Sequence, residues 1–400
     1  MCTRRVPAAP TAPTAVKERS SGRVGAYQIL EPLKKGGMAR VYLATVAEPA
    51  STSLLALKTL LPEFSRDRVY RDMFATEGKV GLRLQHPNIV RTVESGQEGH
   101  TLFIAMEYLF GHDLSTVLRK LRGQGEIMPL PLAVALARDL CAGLAYAHEL
   151  SDEFGRPLDI VNRDVSPGNV MITFDGHVKL IDFGIAQTTI EVRSQIGSIK
   201  GKLSYMSPEQ IRGLPVDARS DIFAVGTVLY EMLTGVHVFH DEGDFATMER
   251  VRRAQAPKPS THNAAIDNTL DEIVSRSMAR EASERHATSR AMLESLTAYL
   301  VSHGHAPSAA DFSGFLRALF GSEIEQLTAA RRTLLDREPP APQTVPDFSP
   351  PEYFETHPPQ TFSIQAAPPA PPRALAGRLA LGFVLVGLLV LGFVLVGLMP

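Results

Sequence analysis

The chain has 400 residues with a formal net charge of −2, and 44% of its residues are hydrophobic and 21% charged. That near-neutral balance offers no electrostatic footprint for nucleic acid, so no nucleic-acid partner is expected. Two cysteines far apart in sequence, Cys2 and Cys141, form neither a disulfide framework nor a thiolate metal site, which suits a reducing compartment.

Residues 1–24 are rich in Ala, Pro, Thr and Ser and have too little apolar surface to offset the entropy of ordering, so a disordered lead is expected. It contains no apolar core of signal-peptide length. Short β-like runs follow (YQILEPL, ARVYLATV, LLALKTL, TLFIAMEYL), and longer helical patterns take over downstream. The prediction is an α+β domain over 25–300, with a strand-rich lobe over 25–108 and a larger helical lobe over 109–300. From 301 to 338, Phe312, Phe315, Leu316, Leu319, Phe320, Ile324 and Leu327 recur at roughly helical spacing. This predicts a helical extension of one or two amphipathic helices, packed on the preceding lobe or, as the alternative, free to dock a partner.

Residues 339–374 carry repeated proline pairs, among them Pro339-Pro340, Pro350-Pro351 and Pro371-Pro372, the composition of an extended, semi-rigid linker. A transmembrane helix is predicted over 375–399. Its core, Leu379 to Met399, is uncharged and would be about 30 Å long as a helix, the thickness of a bilayer core. Glycines at 377, 382, 387, 392 and 397 recur every five residues, so they wind around such a helix and leave no GxxxG face for pairing. Arg373 and Arg378 precede the apolar run, and positive flanks stay in the cytoplasm. The expectation is a single-pass tail anchor in the cell inner membrane, inserted after synthesis, with no external domain and everything before it cytoplasmic.

The chemistry is concentrated in the middle of the chain. Asp182-Phe183-Gly184 follows the apolar run HVKLI, and upstream Arg163-Asp164 opens RDVSPGNV, with Asn169 five residues after the aspartate. In this order and spacing the segments resemble the metal loop and catalytic loop of protein kinases, and the resemblance extends over 27–300. The family it points to is that of the bacterial, eukaryotic-like (Hanks-type) serine/threonine kinases. The resemblance implies a two-lobed fold, ATP and Mg²⁺ in the cleft between the lobes, and protein substrates bearing Ser or Thr. It places Asp164 near the incoming hydroxyl and makes Asn169 and Asp182 the metal ligands. Lys58, in the strand Ala56-Leu57-Lys58, would hold phosphate oxygens, with Glu77 fixing it by an ion pair.

Met106-Glu107-Tyr108-Leu109 resembles the gatekeeper and hinge whose backbone receives adenine, and Asp113 is the implied ribose contact. Lys34, Gly36, Gly37, Val41 and Ala56 complete the nucleotide-binding set. Downstream, Ser207-Pro208-Glu209 resembles the end of the activation segment, Asp221 and Gly226 the helix that supports the catalytic loop, and Arg285 the partner of Glu209.

Three departures from the family pattern stand out. Lys34 and Ala39 replace two of the three phosphate-loop glycines, and Asn162 replaces a histidine at a position where little consequence is expected. Ser166 and Lys202 stand where the family has Lys and Thr, as though ammonium and hydroxyl had exchanged places. Lys202 is therefore a candidate catalytic cation. Thr188, Thr189, Ser194, Ser198 and Ser204 populate the activation segment. Autophosphorylation in a transient homodimer is expected, with Ser194 and Ser198 the leading sites. His237 and His240 with Asp241 are too sparse a set to specify a metal. Rival readings are a membrane-bound pseudokinase scaffold, a small-molecule phosphotransferase and a tyrosine kinase. The first is opposed by the retained charged residues, the others by the GKLSYMSPE loop.

Overall fold

A computed structural model describes residues 22–46, 53–184 and 202–335. The lead up to residue 21, Thr188, Thr189, Ser194, Ser198, the proline-rich stretch and the apolar run lie outside these residues. The smaller lobe is a six-stranded antiparallel sheet in the order β1-β2-β3-β4-β6-β5, built from β1 (Arg23–Val24), β2 (Tyr27–Lys35), β3 (Ala39–Val46), β4 (Leu54–Leu60), β5 (Thr92–Glu98) and β6 (Thr101–Glu107). In this register Lys58 of β4 lies opposite Val41 of β3 and Ile104 of β6, which places it centrally in the sheet.

Helix α1 (Arg68–Gly81) starts where the Asp67 carboxylate accepts a hydrogen bond from the Val69 amide at 2.8 Å. It presses Phe74, fully buried, against Val90, Leu102 and Ile104. Contact is closest at Gly78, where a Cβ would lie 2.0 Å from Oγ of Ser95. Only glycine permits that approach, and it seats the neighbouring Glu77 close to the strand carrying Lys58.

The larger lobe contains α2 (Leu114–Gln124), α3 (Leu130–His148), α4 (Pro208–Arg212), α5 (Arg219–Thr234), α6 (Asp244–Arg253), α7 (Asn268–Ser277) and α8 (Ser289–Ser302). A three-stranded sheet, β7 (Gly111–Asp113), β8 (Val170–Thr173) and β9 (Val178–Leu180), carries the loops of the site. By length and composition α3 could cross a membrane, but 67% of its apolar window is buried inside the lobe, so it is a core helix. Helix α5 is apolar around most of its circumference and correspondingly buried throughout its length. Together these elements form a two-lobed architecture, β-rich and then helical.

Residues 309–335 form α9 (Ala309–Leu335), kinked at Phe320. Phe312, Leu316 and Phe320 are buried in the core of the larger lobe, each contributing roughly 1.5–3 kcal/mol of apolar burial. The helix begins against the β8–β9 turn. Gly176 there has φ +94°, and a Cβ would meet the Ala309 carbonyl oxygen at 1.8 Å.

Candidate active site

A cleft of about 300 Å³ is lined by Lys34, Gly36, Gly37 and Val41 from above and by Asp164, Gly168, Asn169, Asp182 and Lys202 from below, with Lys58 and Glu77 at its back. Lys58 Nζ donates to Oε1 of Glu77 at 2.5 Å and to Oδ1 of Asp182 at 3.0 Å. Burial opposes the Lys58 charge, but the carboxylates of Asp182 and Glu77 outweigh it and hold the ammonium protonated well above its ordinary range. Burial pushes the Glu77 carboxyl upward, against the pull of Lys58.

The catalytic loop is built on a strained residue. Arg163 has φ +66°, a left-handed conformation that costs a non-glycine residue roughly 1–2 kcal/mol. Asp221, on α5 and only 1% exposed, compensates by accepting the Arg163 amide on Oδ1 and the Asn162 amide on Oδ2, both at 2.8 Å. Oδ2 also pairs with His148 Nε2 at 2.8 Å. Gln210, in the capping box that starts α4, donates to the Arg163 carbonyl at 2.8 Å. Glu209 beside it is held by Arg285, whose guanidinium is fully buried and bonds both carboxylate oxygens at 2.7 and 2.8 Å. Burial works to raise the Glu209 carboxyl, but the bonds from Arg285 and Ser220 win and lower it.

Asp164 is thereby aimed into the cleft. Its Oδ2 accepts Asn169 Nδ2 at 2.7 Å and Lys202 Nζ at 2.6 Å. Asn169 Nδ2 also reaches the Asp164 carbonyl at 2.9 Å. Ser166, by contrast, is buried, and its hydroxyl has no hydrogen-bond partner among the described residues. Lys34 crosses the cleft and donates to the Gly168 carbonyl at 3.2 Å, linking the two lobes.

The remaining sequence candidates lie in β4, β6 and the segment that follows it. Ala56 lies opposite Met106 across the β4–β6 pair, and both belong to the apolar cluster that also packs Leu109. Glu107, at the end of β6, accepts from Lys179 at 2.7 Å. Asp113 caps α2, its Oδ1 accepting the Thr116 amide at 2.9 Å and the Ser115 hydroxyl. These five residues are not among those lining the 300 Å³ cleft.

Two arrangements escaped the sequence reading. Asn162, expected to matter little, donates through Nδ2 to the Asp182 carbonyl and accepts through Oδ1 from the Asp164 amide, both at 3.0 Å. One amide therefore ties the metal-loop backbone to the catalytic-loop backbone. The second is a polar knot centred on the buried Glu231 and Tyr205. Glu231 receives Tyr205 Oη at 2.5 Å and Arg122 Nη2 at 2.9 Å, with His237 beside all three. His237 is thus part of a side-chain network, and no cluster of three or more metal-ligating side chains occurs among the described residues.

A model of the protein kinase domain family matches residues 27–296. The tyrosine-protein kinase MasK of Myxococcus xanthus is 36% identical over 301 residues, covering 75% of this chain and 47% of that protein. The serine/threonine-protein kinase PksC of Streptomyces coelicolor is 34% identical over 299 residues, covering 72% and 52%. The chain thus spans about half the length of these curated relatives. The crystal structure of the Mycobacterium tuberculosis PknI kinase domain superposes with a TM-score of 0.53 at 28% identity, covering 70% of this chain and 98% of that one. The chain belongs to the protein kinase domain family, and the curated proteins it resembles are bacterial kinases named for serine/threonine or for tyrosine.

Proposed function

We propose that this chain transfers the γ-phosphoryl group of ATP to Ser and Thr hydroxyls of proteins, itself included, while anchored to the cytoplasmic face of a membrane. The observation that carries the catalytic part is the convergence of Lys58, Glu77 and Asp182 with Asp164 and Asn169 in one cleft. A scaffold without activity has no use for that set of buried charges.

The residues present suit Mg²⁺ and phosphate. The carboxylate of Asp182 and the amide oxygen of Asn169 are hard oxygen donors, which Mg²⁺ prefers together with phosphate oxygens and water. Gly37 has open space where a side chain would stand, leaving the loop backbone accessible to an anion. Bound MgATP supplies the transferable phosphoryl group and the divalent charge that offsets its oxygens. Asp164 accepts the acceptor hydroxyl's proton as that oxygen bonds to the γ-phosphorus and the bond to the β–γ bridging oxygen breaks. Lys58 orients phosphate oxygens, and Glu77 fixes Lys58. Lys202 supplies the cation that Ser166 lacks, at the place where charge develops in transfer. On the nucleotide's other side, the backbone of Glu107 and Leu109 would receive adenine, Ala56, Val41 and Met106 would pack it, and Asp113 would meet the ribose.

A tyrosine acceptor is favoured by one observation, that the Myxococcus relative is named a tyrosine-protein kinase. Phosphoamino-acid analysis after incubating the full chain with γ-labelled ATP, Mg²⁺ and a mixed protein substrate separates the readings. Label on Ser and Thr is expected. Label on Tyr alone replaces that acceptor assignment, and no label at all favours the scaffold. Anchoring rests on the uncharged run Leu379–Met399 and its arginine flank.

A further inference from the structure

Helix α9 lies beyond the residues matched by the family model, yet it packs along the connector between the lobes. Phe320 packs tilted against His112 with ring centroids 4.4 Å apart, and Ser313 Oγ donates to the Phe174 carbonyl at 2.7 Å. After the kink at Phe320 the helix continues to Arg331. Its guanidinium lies 5.6 Å from the ring centroid of Tyr108 and 5.1 Å from that of Phe110. These two residues flank Leu109, whose backbone is assigned to adenine. Arg331 is half-buried, and its planar cation is the side chain best suited to lie over two aromatic faces at once. Phe110 is braced in turn by Phe174, edge-on at 4.8 Å.

We infer that Arg331 is a positioning residue of the nucleotide site, holding Tyr108 and Phe110 so that the Leu109 backbone between them stays fixed in the conformation that receives adenine. Helix α9 is then a working part of the kinase rather than a passive extension. The energetics are those of two partly desolvated cation–π contacts, enough to shift nucleotide affinity.

This inference rests on the ATP-site reading, and the test keeps the two apart. Binding of a fluorescent ATP analogue with Mg²⁺ is measured on the full chain in mild detergent, together with the KM for ATP and kcat on a generic protein substrate. The variants are Arg331→Ala, Arg331→Lys and, on the exposed side of the same turn, Arg332→Ala. Arg331→Ala should weaken analogue binding and raise the KM for ATP about 3- to 10-fold with kcat within twofold of wild type. Arg331→Lys should recover part of the affinity, and Arg332→Ala should match wild type. Unchanged binding and KM in Arg331→Ala overturns the inference and leaves the ATP-site reading standing, as does a loss confined to kcat. Failure of the wild-type chain to bind the analogue overturns both.

Discussion

Lys202 donates to Oδ2 of Asp164 at 2.6 Å, while Ser166, two residues after that aspartate, offers only a buried hydroxyl with no partner among the described residues. The cation beside Asp164 thus comes from Lys202, just ahead of the Ser-Pro-Glu segment. If it serves transfer, Lys202→Ala should lower kcat by about 10²-fold, the usual effect of removing one group that stabilises developing charge. The double exchange Ser166→Lys with Lys202→Thr should restore most of the loss. Near wild-type turnover in Lys202→Ala would remove Lys202 from the mechanism.

Asn162 bridges the Asp182 carbonyl and the Asp164 amide. Asn162→Ala deletes both bonds and leaves two part-buried backbone groups without their partner, at a cost of up to about 1–3 kcal/mol each. Turnover should fall about tenfold and the Mg²⁺ concentration for half-maximal activity should rise, because the metal loop is no longer held in place. Asn162→His, which keeps a ring nitrogen able to donate, should stay closer to wild type. A Mg²⁺ dependence identical across all three proteins would refute the bridging role.

The grouping of Lys58, Asp164, Asn169 and Asp182 in one cleft was legible in the sequence because the protein kinase pattern sets particular residue types at particular separations. These four follow that pattern whatever surrounds them. The lobe order was legible for a similar reason, since period-2 runs precede period-3.6 runs. Asn162 shows what was hidden. Its replacement of a histidine is visible in the chain, but the span of its amide between two loops depends on the turn at Arg163, whose φ of +66° no local sequence rule predicts. Arg331 was hidden for another reason: its aromatic partners lie more than 200 residues earlier, beyond the reach of any periodicity.

Arg285 has no exposed side-chain surface and satisfies both oxygens of Glu209. Replacing it with Met strands a mostly buried carboxylate, so the fold should lose about 3–5 kcal/mol in denaturant titration. Glu209→Gln with Arg285 intact should also destabilise, by leaving the buried guanidinium without its counter-charge. A loss under 1 kcal/mol in Arg285→Met would mean that water or another group replaces the pair.

Burial, with the Arg122 guanidinium and His240 alongside, lowers His237 from 6.5 to about 4. Between those values the unfolded chain binds a proton that the folded chain refuses, so the stabilising share of His237 is complete above pH 6.5 and is lost as pH falls toward 4. The imidazole is partly exposed, which damps the size of the effect. The drop in Tm from pH 7 to pH 5 should be smaller in His237→Gln than in wild type. Equal drops would contradict the assignment.

Deleting residues 375–400 should move the chain from the membrane fraction to the soluble fraction after lysis and ultracentrifugation, with turnover unchanged when both proteins are assayed in detergent. An unchanged membrane fraction would refute the anchor.

The most direct test of the central claim is transfer of label from γ-labelled ATP by the full chain in the presence of Mg²⁺, with Lys58→Met and Asp182→Asn measured alongside. Wild type should label itself and a generic protein substrate, and each variant should fall by about 10³-fold or more, since each removes a charge on which phosphate positioning depends. Absence of transfer by the wild-type chain, or equal transfer by wild type and both variants, would contradict the assignment of this cleft as a kinase active site.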